Sequence, residues 1–235
     1  MSFNNTKANK AEEAKHWLTG LMVCLTLVSA VIANRMVSLT PNYGWLVPAA
    51  VFAYVLLTCV DDCQTEVFGF GFARTNTWIS FVAEGLMVLL FAVMFWAPAA
   101  PWIDDSAWHA VLDNTWRAVL GGLIGFVVSS FINSYIINGM KIIMKKKFNG
   151  DTNKLIWVRT WASTIIAQFF DAMIFMTITF AGTETFSMAA VGRQWITKVI
   201  IAFVCALIVA PVIKKLKEYT GCDEVIEDKE GLKLI

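Results

Sequence analysis

Six long apolar runs, separated by short polar segments, constrain this 235-residue chain more than any other feature in it. They extend from Trp17 to Leu39, Leu46 to Val60, Trp78 to Trp96, Trp116 to Met140, Ile156 to Ala181 and Val191 to Ile213. A hydrocarbon core of about 30 Å is crossed by about 20 helical residues, so six spans would use about half the chain and leave only short loops. A soluble fold could not hide such runs, because 57% of the residues are hydrophobic and only 16% are charged. The expectation is an all-α polytopic membrane protein, a bundle of about six transmembrane helices. A polar N-terminal segment covers residues 1–16, the membrane domain 17–213 and a charged tail 214–235. The first sixteen residues lack the apolar core and cleavage site of a signal peptide, so the first span is expected to be retained.

Turn chemistry punctuates the runs. Pro41, Asn42 and Gly44 follow the first, Gly69 and Gly71 end a helical reading that carries the second on to Phe68, and Pro98 and Pro101 close the third. The fourth run carries Gly121, Gly125 and Ser129 at successive i+4 positions, a stripe that lets another helix approach closely. If the spans alternate, Arg74, Lys145 to Lys147, Lys214, Lys215 and Lys217 fall on one side, and the loop with Asp104, Asp105 and Asp113 on the other. Lys and Arg accumulate on the cytoplasmic side, which predicts two cytoplasmic termini in a cytoplasmic (inner) membrane.

Several function classes are excluded. A net charge of +1 gives no signature of nucleic-acid binding. The two histidines, His16 and His109, lie outside the runs, and no zinc-protease helix, serine elbow or phosphate loop is present. No catalytic residue, metal site or cofactor is expected. The five cysteines read as packed thiols, since Cys59 and Cys63 share a helix face but have no histidine beside them. An ion channel would need a filter-like segment, and none is found. A transporter of a small polar solute remains, or a structural or signalling membrane protein.

Ionisable groups inside the spans carry the choice, because each costs at least a few kcal/mol at membrane depth. Thr164, Gln168, Asp171 and Phe175 follow one another at i, i+4, i+7 and i+11, placing a hydroxyl, an amide, a carboxylate and a ring on one stripe. A weak internal echo in the fourth span sets Ser130 against Gln168, Asn133 against Asp171 and Ile137 against Phe175, as though two similarly placed helices lined one cavity. At the inner end of the second span Asp62 and Glu66 are i,i+4 neighbours that want a cation. Lys198, Arg117, Arg159 and Arg35 are the internal candidates. Plainer readings stand beside these. Asp171 and Lys198 can be a structural ion pair, Asp61, Asp62 and Glu66 a solvated helix end, and Arg117 and Arg159 interfacial anchors. Trp17, Trp45, Trp78, Trp96 and Trp157 suit interfacial belts, while Trp161 either stacks on a flat ligand or packs against lipid. Glu84, alone in the third span, faces the cavity or pairs with an arginine.

The run Asp62-Cys63-Gln64-Thr65-Glu66-Val67-Phe68-Gly69 followed by Ala73-Arg74, the pair Ser163-Thr164 leading to Gln168, Asp171 and Phe175, and Lys198 thirteen residues before Pro211 together resemble the queuosine precursor transporter family, also called the vitamin uptake transporter family. The resemblance covers the chain from Asn34 to about Lys215. It implies import of 7-deazaguanine bases, the cyano and aminomethyl precursors of queuosine or queuine, for tRNA modification. The family usually has a Gln and an Asp in the fourth span, where this chain has Ser130 and Asn133, so the pocket loses one charge. Asn133 still donates and accepts. Joined with the stripe, the resemblance implies that Asp171 accepts the adjacent ring and amine N–H groups of the base, that Gln168 and Asn133 serve its remaining polar atoms, and that Phe175 or Trp161 covers a ring face. Ser130, Thr164, Asn34 and Lys198 complete the candidate binding set, and Asp62 and Glu66 lie toward the cytoplasmic gate. The partners expected are a small-molecule solute and the lipid bilayer. The same architecture also suits a vitamin or another nucleobase, including as a substrate-binding subunit with an energising partner. Whether two copies assemble as a homodimer is left open.

Overall fold

Helix α1, Ser2–Ile32, begins in the polar N-terminal stretch and runs without interruption into the first apolar run. The computed structural model describes residues 2–33, 35–42, 44–106, 108–109, 115–147, 155–183 and 186–224. Asn34, Asp113, Lys154 and residues 225–235 of the tail lie outside the described residues. The first span was expected to continue to Leu39, but α1 stops at Ile32. A short antiparallel hairpin follows, β1 (Met36–Ser38) with β2 (Leu46–Pro48), pairing Val37 with Val47. Pro41 and Asn42 turn the chain there, as anticipated.

Helix α2, Ala50–Trp96, is 47 residues long. At a rise of about 1.5 Å per residue a straight helix of that length would span roughly 70 Å, more than twice the hydrocarbon thickness. It is not straight. Gly69 has φ 82° and ψ 171°, a conformation that lets the chain reverse and that favours glycine. Side chains on either side of it then meet the same partner: the Ser130 hydroxyl lies 3.1 Å from Asp61 Oδ1 and 2.8 Å from Thr77 Oγ1. In a continuous helix Asp61 and Thr77 would be roughly 24 Å apart. Tyr54 and Glu84, each fifteen residues from Gly69 on opposite sides, line one cavity in the same way. The two arms therefore run antiparallel. The expected inner loop before Trp78 is absent, because Gly69 alone makes the reversal and Arg74 lies within helix.

Helices α3 (Thr115–Lys147), α4 (Ile156–Phe180) and α5 (Met188–Thr220) complete the bundle. Ser187 caps α5 by accepting from the Ala190 N–H at 3.0 Å, and Gly221, in the left-handed region at φ 71°, ends it. α5 thus runs past Pro211 and through Lys214, Lys215 and Lys217. Its last turns join α1 at the Gly69 end, where Ala11 and Ala14 pack with Val67, Phe68, Ile156 and Ile213. The described N-terminal and C-terminal residues therefore sit at one end of the bundle, with Lys141, Lys217 and Gly69. The β-hairpin and the starts of α2, α3 and α5 lie at the other.

Burial runs opposite to a soluble protein. Asp61, Asp62, Gln64, Thr65, Glu66, Asn76, Thr77 and Glu84 are buried along α2, while Val82, Leu86, Leu89, Leu90, Val93 and Trp96 on its second arm face outward. Lipid rather than water suits that surface. Five helices are long and apolar enough to cross a membrane, α2 counted once.

Candidate functional site

The stripe of small residues on α3 determines where the site forms. A Cβ at Gly121 would lie 2.7 Å from Thr179 Oγ1 and 3.1 Å from the Phe175 carbonyl, and one at Gly125 would lie 2.8 Å from Asp171 Oδ1. Only glycine allows α4 to approach this closely. The approach brings Asp171 against Tyr54 of α2 and Lys198 of α5. Tyr54 donates to Asp171 Oδ1 at 2.7 Å and also lies 3.1 Å from Ser129 Oγ, the third residue of the stripe. Lys198 donates to Asp171 Oδ2, and its ammonium stands 4.0 Å from the centroid of the Tyr54 ring. Both oxygens of the carboxylate are thereby fixed, on three helices.

Around this group the helices line a small cavity of about 30 Å³, open at its mouth. Thr26 and Ser29 of α1, Tyr54 and Glu84 of α2, Phe126 of α3, Asp171 and Phe175 of α4, and Gln194 and Lys198 of α5 contribute to its walls. Asp171, Glu84 and Lys198 are its charged groups among the described residues. The ion pair between Asp171 and Lys198 that the sequence left open is thus present, and it borders the cavity.

A second polar cluster lies nearer Gly69. Asn133 Nδ2 donates to Asp61 Oδ2 at 3.2 Å and to Asp62 Oδ1 at 2.7 Å, Ser130 donates to Asp61, and Thr65 pairs with Ser134 at 2.9 Å. Asn133 Oδ1 is buried with no partner among the described residues. The reading of Asp61 and Asp62 as a solvated helix end is overturned, since both are buried.

Deeper still, Glu66 is gripped by Arg159, Nε to Oε1 at 2.7 Å and an Nη to Oε2 at 2.8 Å, with Lys217 at 3.3 Å from Oε2. Lys141 donates to the Glu66 and Glu224 carbonyls, each at 2.7 Å, and pairs with Asp223 at 2.6 Å. Arg159 is fully buried, so it is not an interfacial anchor; the fork geometry of guanidinium and carboxylate holds it inward. Arg117, by contrast, donates to the Ala181 carbonyl at the other end.

The expected binding set is thus divided. Asp171, Phe175 and Lys198 border the cavity. Ser130, Asn133 and Asp62 form the second cluster and Glu66 the third. Gln168 is buried, and both ends of its amide lack partners among the described residues, but it does not border the cavity. Thr164 donates back to the Thr160 carbonyl, and Trp161 packs edge-to-face on Phe203 with its indole N–H buried and unpartnered. Tyr54, Gln194 and Thr26 went unnoticed. Gln194 precedes Lys198 by four residues and Tyr54 precedes Asp61 by seven, so helical spacing from the acids and the lysine would have found two of the three.

Long helices with apolar outer surfaces around an internal cavity that carries a few ionisable groups define a multi-pass membrane protein. Residues 48–213 match the family described as "Putative vitamin uptake transporter", and the chain belongs to that family, whose members are transporters and not enzymes. Over 211 residues, 88% of this chain and 85% of the relative, it is 25% identical to the "Probable queuosine precursor transporter" of Bacillus subtilis (strain 168). No solved structure matches the chain.

Proposed function

We propose that this chain crosses the membrane six times and imports a 7-deazaguanine base, with Asp171 as the acceptor for the paired N–H groups of the base. The observation that carries the reading is the position of Asp171: a carboxylate fixed by Tyr54 and Lys198 at the wall of an internal cavity, beside the Phe175 ring. A planar base with adjacent donors suits a carboxylate and a ring face. The name of the bacterial relative supports this class of solute. Asn133 and Gln168, with unpartnered buried amide atoms, stand deeper in the bundle and would meet the solute as it moves inward. The Glu66 network then forms the cytoplasmic closure.

The reversal of α2 at Gly69 supports six crossings, and the clustering of lysines at that end supports its cytoplasmic placement. The wording of the family description favours a second reading, in which the solute is a vitamin. Thermal-shift measurements on purified protein with deazapurines, purines and vitamins separate the two.

Asp171→Asn tests the role of the carboxylate. The amide keeps the shape but loses the charge that holds Lys198 and the second strong acceptor. Uptake of labelled deazaguanine into cells is expected to fall at least about tenfold, as for loss of one charged hydrogen bond, with the protein still present in the membrane. Accumulation at the parental rate would remove Asp171 from the site.

A further inference from the structure

Glu84 is the ionisable group of the cavity that no described residue answers. It is 3% exposed and makes no hydrogen bond or ion pair with any described residue, although it borders the cavity with Tyr54, Asp171, Gln194 and Lys198. Two of the surrounding donors are turned toward Asp171. Lys198 gives its ammonium to Asp171 and lies over the Tyr54 ring, and the Tyr54 hydroxyl also donates to Asp171. On the facing helix, Thr26 donates to the Met22 carbonyl and Ser29 to the Thr26 carbonyl, so both present only lone pairs to the cavity. Gln194 Oε1 is buried without a partner among the described residues. Two carboxylates therefore face one ammonium in this wall. An unpaired buried carboxylate costs several kcal/mol, so the arrangement calls for a positive charge brought from outside.

We infer that Glu84 is a solute-binding residue that receives an ammonium group on the transported molecule, and so selects a cationic substituent over a neutral one. An ammonium supplies three donors and no acceptor, which matches a wall of Glu84, Gln194 and two spent hydroxyls. A proton on Glu84 would satisfy the charge but leave the other acceptors unmet. This inference rests on the proposed transport of a deazaguanine, with Asp171 holding the base and Glu84 its side arm.

The test is equilibrium binding to the purified full-length protein of two 7-deazaguanines that differ only in the substituent at position 7: aminomethyl, cationic at neutral pH, and cyano, neutral. The parental protein is expected to bind the aminomethyl compound at least about tenfold more tightly, as for one charged hydrogen bond. Glu84→Gln should weaken the aminomethyl compound by about tenfold to a hundredfold on the same grounds and leave the cyano compound within about threefold. Because Glu84 has no internal partner to lose, unchanged cyano binding also reports a folded variant. Equal weakening of both compounds, or no change in either, overturns the inference and leaves the proposed function standing. Should the variant fail to fold, the preference of the parental protein decides, and tighter binding of the cyano compound overturns it. Binding of neither compound to the parental protein overturns both readings.

Discussion

At the scale of single residues, the acids of this bundle divide by the charge that answers them. Asp171 shares Lys198 with the cavity, Asp61 and Asp62 share the Asn133 amide, and Glu66 is surrounded by cations. Glu66 and Asp223 face Lys141, Arg159 and Lys217. A bidentate, fully buried pair is strongly asymmetric: made, it contributes little net stability, but broken on one side it strands a charge at a cost of about 3–5 kcal/mol. Glu66→Gln takes the facing charge away from Arg159 and Lys217. Its midpoint of thermal unfolding in detergent is expected to fall by on the order of ten degrees. An unchanged midpoint would mean that water reaches Arg159 and that this end of the bundle is open. The demand of the Asp62 and Glu66 pair for a cation was legible from spacing alone. Which cation answers was not, because Lys141 and Lys217 come from helix ends that read as solvent-facing.

At the scale of elements, one residue turns α2 into two antiparallel arms. The conformation of Gly69 is strained for any residue with a Cβ, by about 1–3 kcal/mol. The side is also occupied: a Cβ there would lie 3.3 Å from both Cβ and Oε2 of Glu224, whose N–H donates to the Val67 carbonyl at 3.2 Å. Gly69→Ala should therefore lower the unfolding midpoint by several degrees and loosen residues 221–224, whereas Gly71→Ala, with open space around its Cβ, should not. Hydrogen exchange over the end of α5 reads the second effect. If the two variants behave alike, the reversal does not depend on Gly69. The glycine pair was legible as a break, and the i+4 stripe Gly121, Gly125, Ser129 as a place for close approach. The fit of α4 into that stripe was not. Periodicity gives the face a residue occupies on its own helix, whereas contact with Tyr54 or Lys198 depends on how three helices are rotated against one another. Asp171 was recognised for this reason and Tyr54 was missed. Asn133 was assigned beside Asp171 by the internal echo, but the fold turns it to Asp61 and Asp62.

At the scale of the whole molecule, the reversal at Gly69 bears on the proposed number of crossings. If α2 were one tilted helix, Asn42 before it and Asp104 after it would face opposite compartments. With two arms each crossing, as proposed, they would share one, and Lys147, one helix further along, would lie in the other. All three are exposed, so single cysteines placed there in a cysteine-free background can be labelled without disturbing the core. A membrane-impermeant maleimide added to intact cells is expected to reach Asn42→Cys and Asp104→Cys, and to reach Lys147→Cys only after permeabilisation. The sign follows from Lys145, Lys146 and Lys147 at the end of α3 and Lys217 at the end of α5, because lysines near span ends are retained in the cytoplasm. Each alternative has a distinct pattern. Opposite labelling of positions 42 and 104 would mean that α2 crosses once, and labelling of position 147 alone would invert the bundle. An inverted bundle would set the cavity mouth toward the cytoplasm and the Glu66 closure outside, and import could not then begin with solute entering beside Asp171.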